Sequence, residues 1–341
     1  MTEHCADPKK TDQTARLHRD LLVRQNLIAF PFHWQVPAAT EKAAFESIRR
    51  IQHQLSFEYI GFAWASLIDG LCRDSDITSS LLRALKDFID YFPALRRRVT
   101  VAQHIQAIQF TDVYHAIGIT DLFWSHATRQ KTMIKGITIH PFPLFPAQTT
   151  DNELQDFNPT RSRRYLANFI GAYDPSGYIS NVRAVIFSDK NEKGDLLLIK
   201  RNAWHFERIV YEQQIAGKRS NKNELFKENQ HREEYLSAIK ESWFTLCPTG
   251  SGPNSIRIFE ALSLQSIPIL LTTDLRLPGP IGLWEKATII EEDSAAGYQR
   301  GIEKARKMDV DDRMKMISAG MELCKMVLPP NYAQIIIDGL R

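Results

Sequence analysis

Cysteine is scarce in this chain: Cys5, Cys72, Cys247 and Cys324 are all there is, and none lies in a C-x-x-C pair or at metal-ligand spacing. This usage gives no sign of a redox pair or a thiolate metal centre, and a reducing compartment fits best. No apolar run approaches the ~18 residues of a membrane span, and the opening MTEHCADPKKTDQTARLHRD has no apolar core of a signal peptide. A cytoplasmic location is expected, with action near the membrane surface left open. Neither sign of charge is in excess, 43 basic residues facing 40 acidic ones, so nothing demands nucleic acid as a partner. The P-loop pattern G-x-x-x-x-G-K-[ST] is missing, as is a G-x-G-x-x-G after the first strand, which argues against another phosphate-binding α/β enzyme. No internal repeat is visible.

What is present is a folded chain of 341 residues, 43% apolar and 24% charged, long enough for two domains. Residues 1–20 are polar and aperiodic and are expected to form a mobile tail. Leu27 to Phe30, Arg98 to Ala102, Thr120 to Trp124 and Ile137 to Ile139 read as strands, and the segments between them carry helical signals. This alternation predicts an α/β domain over 21–150 with a mostly parallel sheet covered on both faces. Pro146 to Ser162 reads as a linker. A second α/β domain is expected over 160–328 and a terminal helix over 329–341 that could return to the first domain. The basic runs Arg96 to Arg98 and Arg161 to Arg164 read as solvated flanks.

Ligands of such sheets sit beyond the carboxyl ends of the strands, where His33, His104 and His126 all fall, and Asp112 opens the helix between two of them. Lone histidines are more often structural, and Trp34, Trp64 and Trp124 more often core than sugar platforms. Asp74-Ser75-Asp76 has the form of a metal and diphosphate ligand. It lacks the preceding apolar strand, and Asp76 is better placed to cap a helix.

The stretch from Trp243 to Pro278 organises the rest. Trp243 to Cys247 reads as a buried strand ended by Pro248, and Thr249-Gly250-Ser251-Gly252-Pro253-Asn254-Ser255 as a glycine loop whose Asn254 or Ser255 opens a helix. Such a junction aims backbone N–H groups and a helix dipole at one point, which suits a diphosphate. Helical spacing puts Ile258, Phe259 and Leu262 on a buried face and Arg257 with Glu260 on the opposite one. They are either a phosphate cation and a ribose acceptor or an exposed ion pair. Lys200 and Arg201 end another strand, where a phosphate or plain solvent would meet them.

The signature C-P-x-G-x-G-x-x-S-x-R-x-x-E-A-L, met here by Cys247, Gly250, Gly252, Ser255, Arg257 and Glu260 to Leu262, resembles that of exostosin-type glycosyltransferases. Ile267-Pro268-Ile269 with Asp274, the strand from Arg164 to Gly171 and the segment from Trp284 to Ile290 are similar to further pieces of that family. Thr249 replaces a common arginine and Ser266 a common glycine. The resemblance implies a soluble, bacterial or viral-like member of GT-B type, with two Rossmann-like domains facing across a cleft. It also implies inverting, metal-independent transfer from a nucleotide sugar, most simply a UDP-sugar, to a glycan or polysaccharide acceptor, with no cofactor. Arg201, Thr249, Gly250, Ser251, Gly252, Asn254, Ser255, Arg257 and Glu260 would bind the donor. His33, His104, Asp112 or His126 would be the base. A catalytically inactive nucleotide-sugar or glycan binder is the alternative.

Overall fold

The computed structural model describes residues 20–73, 75–91, 96–149, 161–203, 206–219 and 221–341. Nearly all of the expected tail, Asp74 and most of the expected linker lie outside the described residues. The first sheet has seven strands in the order β1-β2-β3-β4-β5-β7-β6. These are β1 (Leu22–Arg24), β2 (Leu27–Ala29), β3 (Glu58–Gly61), β4 (Arg98–Ala102), β5 (Asp121–Trp124), β6 (Met133–Ile134) and β7 (Ile137–Pro141). The five inner strands run parallel, while β1 and β6 are short antiparallel edges. Helices α1 (Thr40–Ile51), α2 (Trp64–Arg73), α3 (Asp76–Tyr91) and α4 (Thr111–Ala116) connect the parallel strands.

The two-residue period of a strand divides this sheet into two cores. Ile28, Ile60, Leu122 and Trp124 pack with Trp64, Ile68, Leu81 and Phe88 from α2 and α3. Leu27, Tyr59, Val99, Val101 and Phe123 pack on the other face with Ala44, Phe45 and Ile48 of α1. Burial on both faces explains the near-continuous apolar strands, and why Phe57 to Ala65 reads ambiguously: a strand ending at Gly61 runs almost directly into α2.

The second sheet holds β8 (Tyr165–Ala172), β9 (Leu196–Arg201), β10 (Ser242–Pro248), β11 (Ile267–Leu271) and β12 (Ile289–Glu291), all parallel, in the order β12-β11-β10-β8-β9. Its first strand, β8, has its sequence successor on one side and the third strand on the other. That reversal places a topological switch point between β8 and β10, and a crevice beyond their carboxyl ends. Helices α5 (Val182–Phe187), α6 (Lys222–Lys240), α7 (Ile256–Ser263), α8 (Ile281–Ala287), α9 (Ala295–Lys307) and α10 (Val310–Val327) cover the sheet, and a π-helical segment spans Arg208–Ile215. The charged stretch before β10 forms α6, opened by a capping box in which Asn221 Oδ1 accepts from Glu224 N–H at 3.0 Å and Glu224 Oε2 from Asn221 N–H at 2.9 Å. Only its last turns reach the core, through Tyr235, Leu236 and Ile239, so the sequence shows no apolar stripe.

The two units are bound together. A final helix, α11 (Tyr332–Gly339), places Tyr332 and Ile336 in the core under the first sheet. Ser47 of α1 donates to Pro330 O at 2.5 Å and accepts from Ala333 N–H at 2.9 Å. Among the described residues, no helix is long and apolar enough to cross a membrane.

The basic runs are only in part solvated flanks: Arg96, Arg97 and Arg164 are exposed, whereas Arg98 and Arg163 are drawn into the fold. Arg98 is 2% exposed; it pairs with Glu58 at 2.8 Å and donates to Ile117 O, while Arg97 grips Asp121. Arg163 donates to Ser242 O and Gln265 O, and burial pulls its guanidinium down to about 10. These arginines tie strand starts to neighbouring loops, so their charge serves the fold. Because α11 fills the core of the first unit from the end of the chain, truncating it should loosen that unit. Ile336→Ala is expected to cost about 2–5 kcal/mol, read as a lowered denaturation midpoint; an unchanged midpoint would show that the helix is not part of the folded core.

Candidate active site

The glycine loop lies where β10 runs into α7. Pro248 is the last residue of the strand and Ser255 the N-cap residue of the helix, with extended backbone and no side-chain capping bond. The loop closes on itself through Gly250 N–H to Gly252 O at 3.1 Å, and Gly250 O accepts from Ile179 N–H at 3.0 Å. Thr249 is buried and donates to Asp293 Oδ2 at 2.5 Å, which fixes the start of the loop to the end of β12. Ser251 at the tip is exposed.

The far half of the loop presses onto the first domain. A Cβ on Gly252 would lie 2.5 Å from both Ile105 Cγ2 and His126 Nδ1, so only glycine fits. Asn254 donates from Nδ2 to Ser125 O at 2.6 Å, its backbone N–H points at His126 Nδ1 at 3.4 Å, and its Oδ1 accepts from Ser255 N–H. Nearby, Thr128 bridges to Leu275, and Asp274 accepts from the Arg129 N–H through its own O and Oδ1. Asp274 is thus occupied at this domain contact.

Two guanidinium groups meet at the other half. Arg257, in the first turn of α7, donates from Nη2 to Ile170 O at 2.5 Å and lies over the Phe169 ring at 4.5 Å, and its Nε is buried without a hydrogen bond. Arg183 of α5 is only 7% exposed and lies beside it. It donates from Nε to Thr249 O at 2.8 Å and from Nη1 to Ala172 O at 2.9 Å, bridging the carboxyl ends of β10 and β8 at the switch point. Its Nη2 lies 3.4 Å from where a Gly250 Cβ would be, so this glycine leaves the guanidinium uncovered. Burial, and next the charge of Arg257, pull Arg183 down to about 10, which still leaves it a cation at neutral pH. Among the described residues, neither arginine is ion-paired with a carboxylate. Two like charges held close together, with carbonyls and rings as their partners, have the chemistry that suits an anion.

Arg183 was not foreseen from the sequence. The available signal was an arginine in the first turn of the helix that follows the first strand of the domain, and only the switch point makes that position converge on the loop. Arg201 pairs instead with Glu234 of α6. Glu260 departs from the exposed face expected of it: it is 2% exposed, accepting Gln148 N–H on Oε1 at 3.1 Å and the Tyr235 hydroxyl on Oε2 at 2.7 Å. Burial raises its carboxyl above the usual range. The chain ahead of β8 and α6 cover the face that a helical wheel leaves open.

On the first domain the four candidate bases differ in setting. His33 is exposed, on left-handed backbone at φ 60. Asp112 is 81% exposed and pairs with Lys135 at 2.6 Å. His126 is brought to the loop, and His104 stands near His126. His126 is buried, and burial pulls it down to about 3, with the charge of His104 adding to this and a hydrogen bond to the Gln103 backbone opposing it. Trp64 and Trp124 are core residues bonded through their indole N–H to Thr100 and to His104 O, while Trp34 stacks on Phe45.

A profile of the Exostosin GT47 domain matches residues 99–295, more than half of the chain, including the glycine loop, Arg183, Arg257, His104 and His126. The chain belongs to the exostosin GT47 family. It is accordingly a glycosyltransferase. No curated protein matches it closely enough to count as a relative. Among solved structures it is similar to the N-terminal domain of a Candida albicans trehalose-6-phosphate phosphatase (10% identity, TM-score 0.41, 81% of each chain). It is similar also to an α,α-trehalose 6-phosphate synthase of Burkholderia multivorans (9%, 0.41, 78% of this chain and 73% of that one). A third is S. aureus MnaA with UDP (12%, 0.37, 90% and 79%). Overlaps this loose assign no residue and no substrate.

The domain contact of this glycosyltransferase makes two expectations. Gly252→Ala should lower the melting temperature, whereas Gly250→Ala, whose added methyl meets Arg183 and the Tyr178 ring at ordinary contact distance, should leave the melting temperature near that of the parent. Equal melting temperatures for all three would remove the packing argument. His126, neutral when folded, takes up a proton near pH 6.5 once unfolded. The unfolded chain therefore binds more protons between about pH 6.5 and about pH 3, and the stability contributed at higher pH is lost as pH falls through that window. His126→Gln should flatten this part of the stability-versus-pH curve, and an unaltered curve would contradict the assignment.

Proposed function

We propose that the protein is a metal-independent, inverting glycosyltransferase that moves a sugar from a nucleotide sugar, UDP-linked in the simplest case, to a glycan or polysaccharide acceptor. The reading rests on one observation: Arg183 and Arg257 converge, without carboxylate partners among the described residues, on the crevice closed by the Gly250–Ser255 loop. Glycosyl transfer breaks the bond between the anomeric carbon and the diphosphate, and negative charge grows on the departing oxygen. The pair of guanidinium groups and the N-terminus of α7 would face the position where that charge develops. They supply the counter-charge that a divalent cation supplies in other transferases. The sugar would then lie toward the first domain, next to His104 and His126, with the acceptor entering from that side. We place this reaction in the cytoplasm.

Removing one such preorganised donor typically costs about 2.7–4 kcal/mol in the transition state, a rate loss of roughly 10²–10³. Arg183→Ala and Arg257→Ala are each expected to lower turnover of the nucleotide-sugar donor by that factor with an unchanged circular dichroism spectrum. Arg201→Ala should fall within a few-fold of the parent. Chelation of divalent cations should leave turnover unaltered. Full activity in both the Arg183 and Arg257 variants, or complete loss in chelator, would overturn the reading.

A further inference from the structure

Inverting transfer also needs a group that removes the proton of the acceptor hydroxyl, and the hydrogen bonds at the mouth of the first domain identify it by what they leave open. His104 Nδ1 accepts the backbone N–H of Gln106 at 3.1 Å, which fixes the proton on Nε2 and occupies the lone pair a base would use. His126 is occupied in the same way by Asn254 N–H. His33 is exposed and Asp112 is held by Lys135.

Beside His104 stands a carboxylate that the sequence did not single out. Asp69, in the second turn of α2, is 6% exposed. Its Oδ2 accepts from Gln35 Nε2 at 2.6 Å, and His104 Nε2 faces its Oδ1 at 3.5 Å. No lysine or arginine pairs with it among the described residues. Its donors are themselves fixed. Gln35 Oε1 accepts from Gln103 Nε2 at 2.8 Å, which orients the amide with its N–H groups toward Asp69. Gln103 donates also to Ala38 O at 2.6 Å, and its own backbone N–H goes to Glu41 Oε1 at 3.0 Å. Glu41, whose carboxyl burial pushes up to about 8 against the amides of Gln103 and Ala65, forms the floor of this network. The path to the donor loop is short: Ile105 follows His104 in the chain and lies against Gly252.

On the reading that the Gly250–Ser255 crevice holds a sugar diphosphate, we propose that Asp69 is the general base, with Gln35 and His104 as positioning residues. In the step, the acceptor oxygen forms a bond to the anomeric carbon while the bond from that carbon to the diphosphate breaks, its electron pair leaving on the diphosphate beside Arg183 and Arg257. The hydroxyl proton passes to Asp69 Oδ1 and is released to solvent as the product leaves. Atoms and charge balance with no further reagent.

The test uses the full chain, a panel of UDP-glucose, UDP-galactose and UDP-N-acetylglucosamine with water as acceptor, UDP release as the rate, and UDP affinity by calorimetry. Asp69→Asn should lower the maximal rate by roughly 10²–10⁴ while the UDP Kd stays within about twofold. Asp69→Glu should recover part of that rate, and Gln35→Leu and His104→Gln should lower kcat several-fold with KM for the donor unchanged. An Asp69→Asn rate within a few-fold of the parent, a greater loss in His104→Gln than in Asp69→Asn, or loss of UDP binding in Asp69→Asn would each overturn the assignment. A parent protein that neither binds UDP nor releases it from any of the three would instead remove the donor reading on which the assignment depends.

Discussion

Everything at this site depends on how closely the glycine loop of the second domain can approach the first. Gly252 has no side chain, and the space a methyl group would take is filled by Ile105 and His126. Asn254 then reaches Ser125 O, just past the carboxyl end of β5 in the other domain. This contact sets the separation between Arg183 and Arg257 on one side and the Gln35–Asp69–His104 network on the other. The terminal helix α11, packed under the first sheet, joins the two units a second time. A displacement of the order of 1 Å in such a cleft is costly to a displacement reaction, because the reacting groups must be in line before the barrier is reached.

The electrostatics follow from the same arrangement. Arg183 and Arg257 repel each other and are partly desolvated, an unfavourable state for an empty protein. It is tolerated because each guanidinium is braced by strand-end carbonyls and an aromatic face: Arg183 by Ala172 O and the Tyr178 ring, Arg257 by Ile170 O and the Phe169 ring. Bracing of this kind holds a charge in place without neutralising it, so the charge remains available to an anionic ligand. Thr249 fits the same pattern. Where many family members have an arginine, this chain has a hydroxyl that anchors Asp293, and the second cation of the crevice comes from α5.

How much of this was legible in the sequence differs from one element to the next. The strand, glycine loop and helix from Trp243 to Leu262 could be read directly, because apolar run, turn residues and helical period follow one another without interruption, and the exostosin resemblance rested on the same residues. The parallel strands of the first sheet were legible as apolar runs, but the edges β1 and β6 were too short to have a pattern. Arg183 could not be seen: its role comes from a crevice formed by strand order, and strand order is a long-range property. Glu260 misled because a helical wheel describes one helix alone, and here Tyr235 and Gln148 from elsewhere in the chain close its outer face. Arg97 and Arg98 misled for the opposite reason. A cluster of cations looks solvated until Glu58 and Asp121 are brought beside it by neighbouring strands.

The central claim is that the crevice between β8 and β10 binds a diphosphate through Arg183 and Arg257. The most direct measurement is calorimetric titration of the metal-free protein with UDP, UMP and uridine in turn. The account predicts that affinity falls at least tenfold, about 1.4 kcal/mol, from UDP to UMP and again to uridine, and that this ladder collapses in the Arg183→Ala, Arg257→Ala double variant. Equal binding of the three ligands, or the same ladder in the double variant, would contradict it.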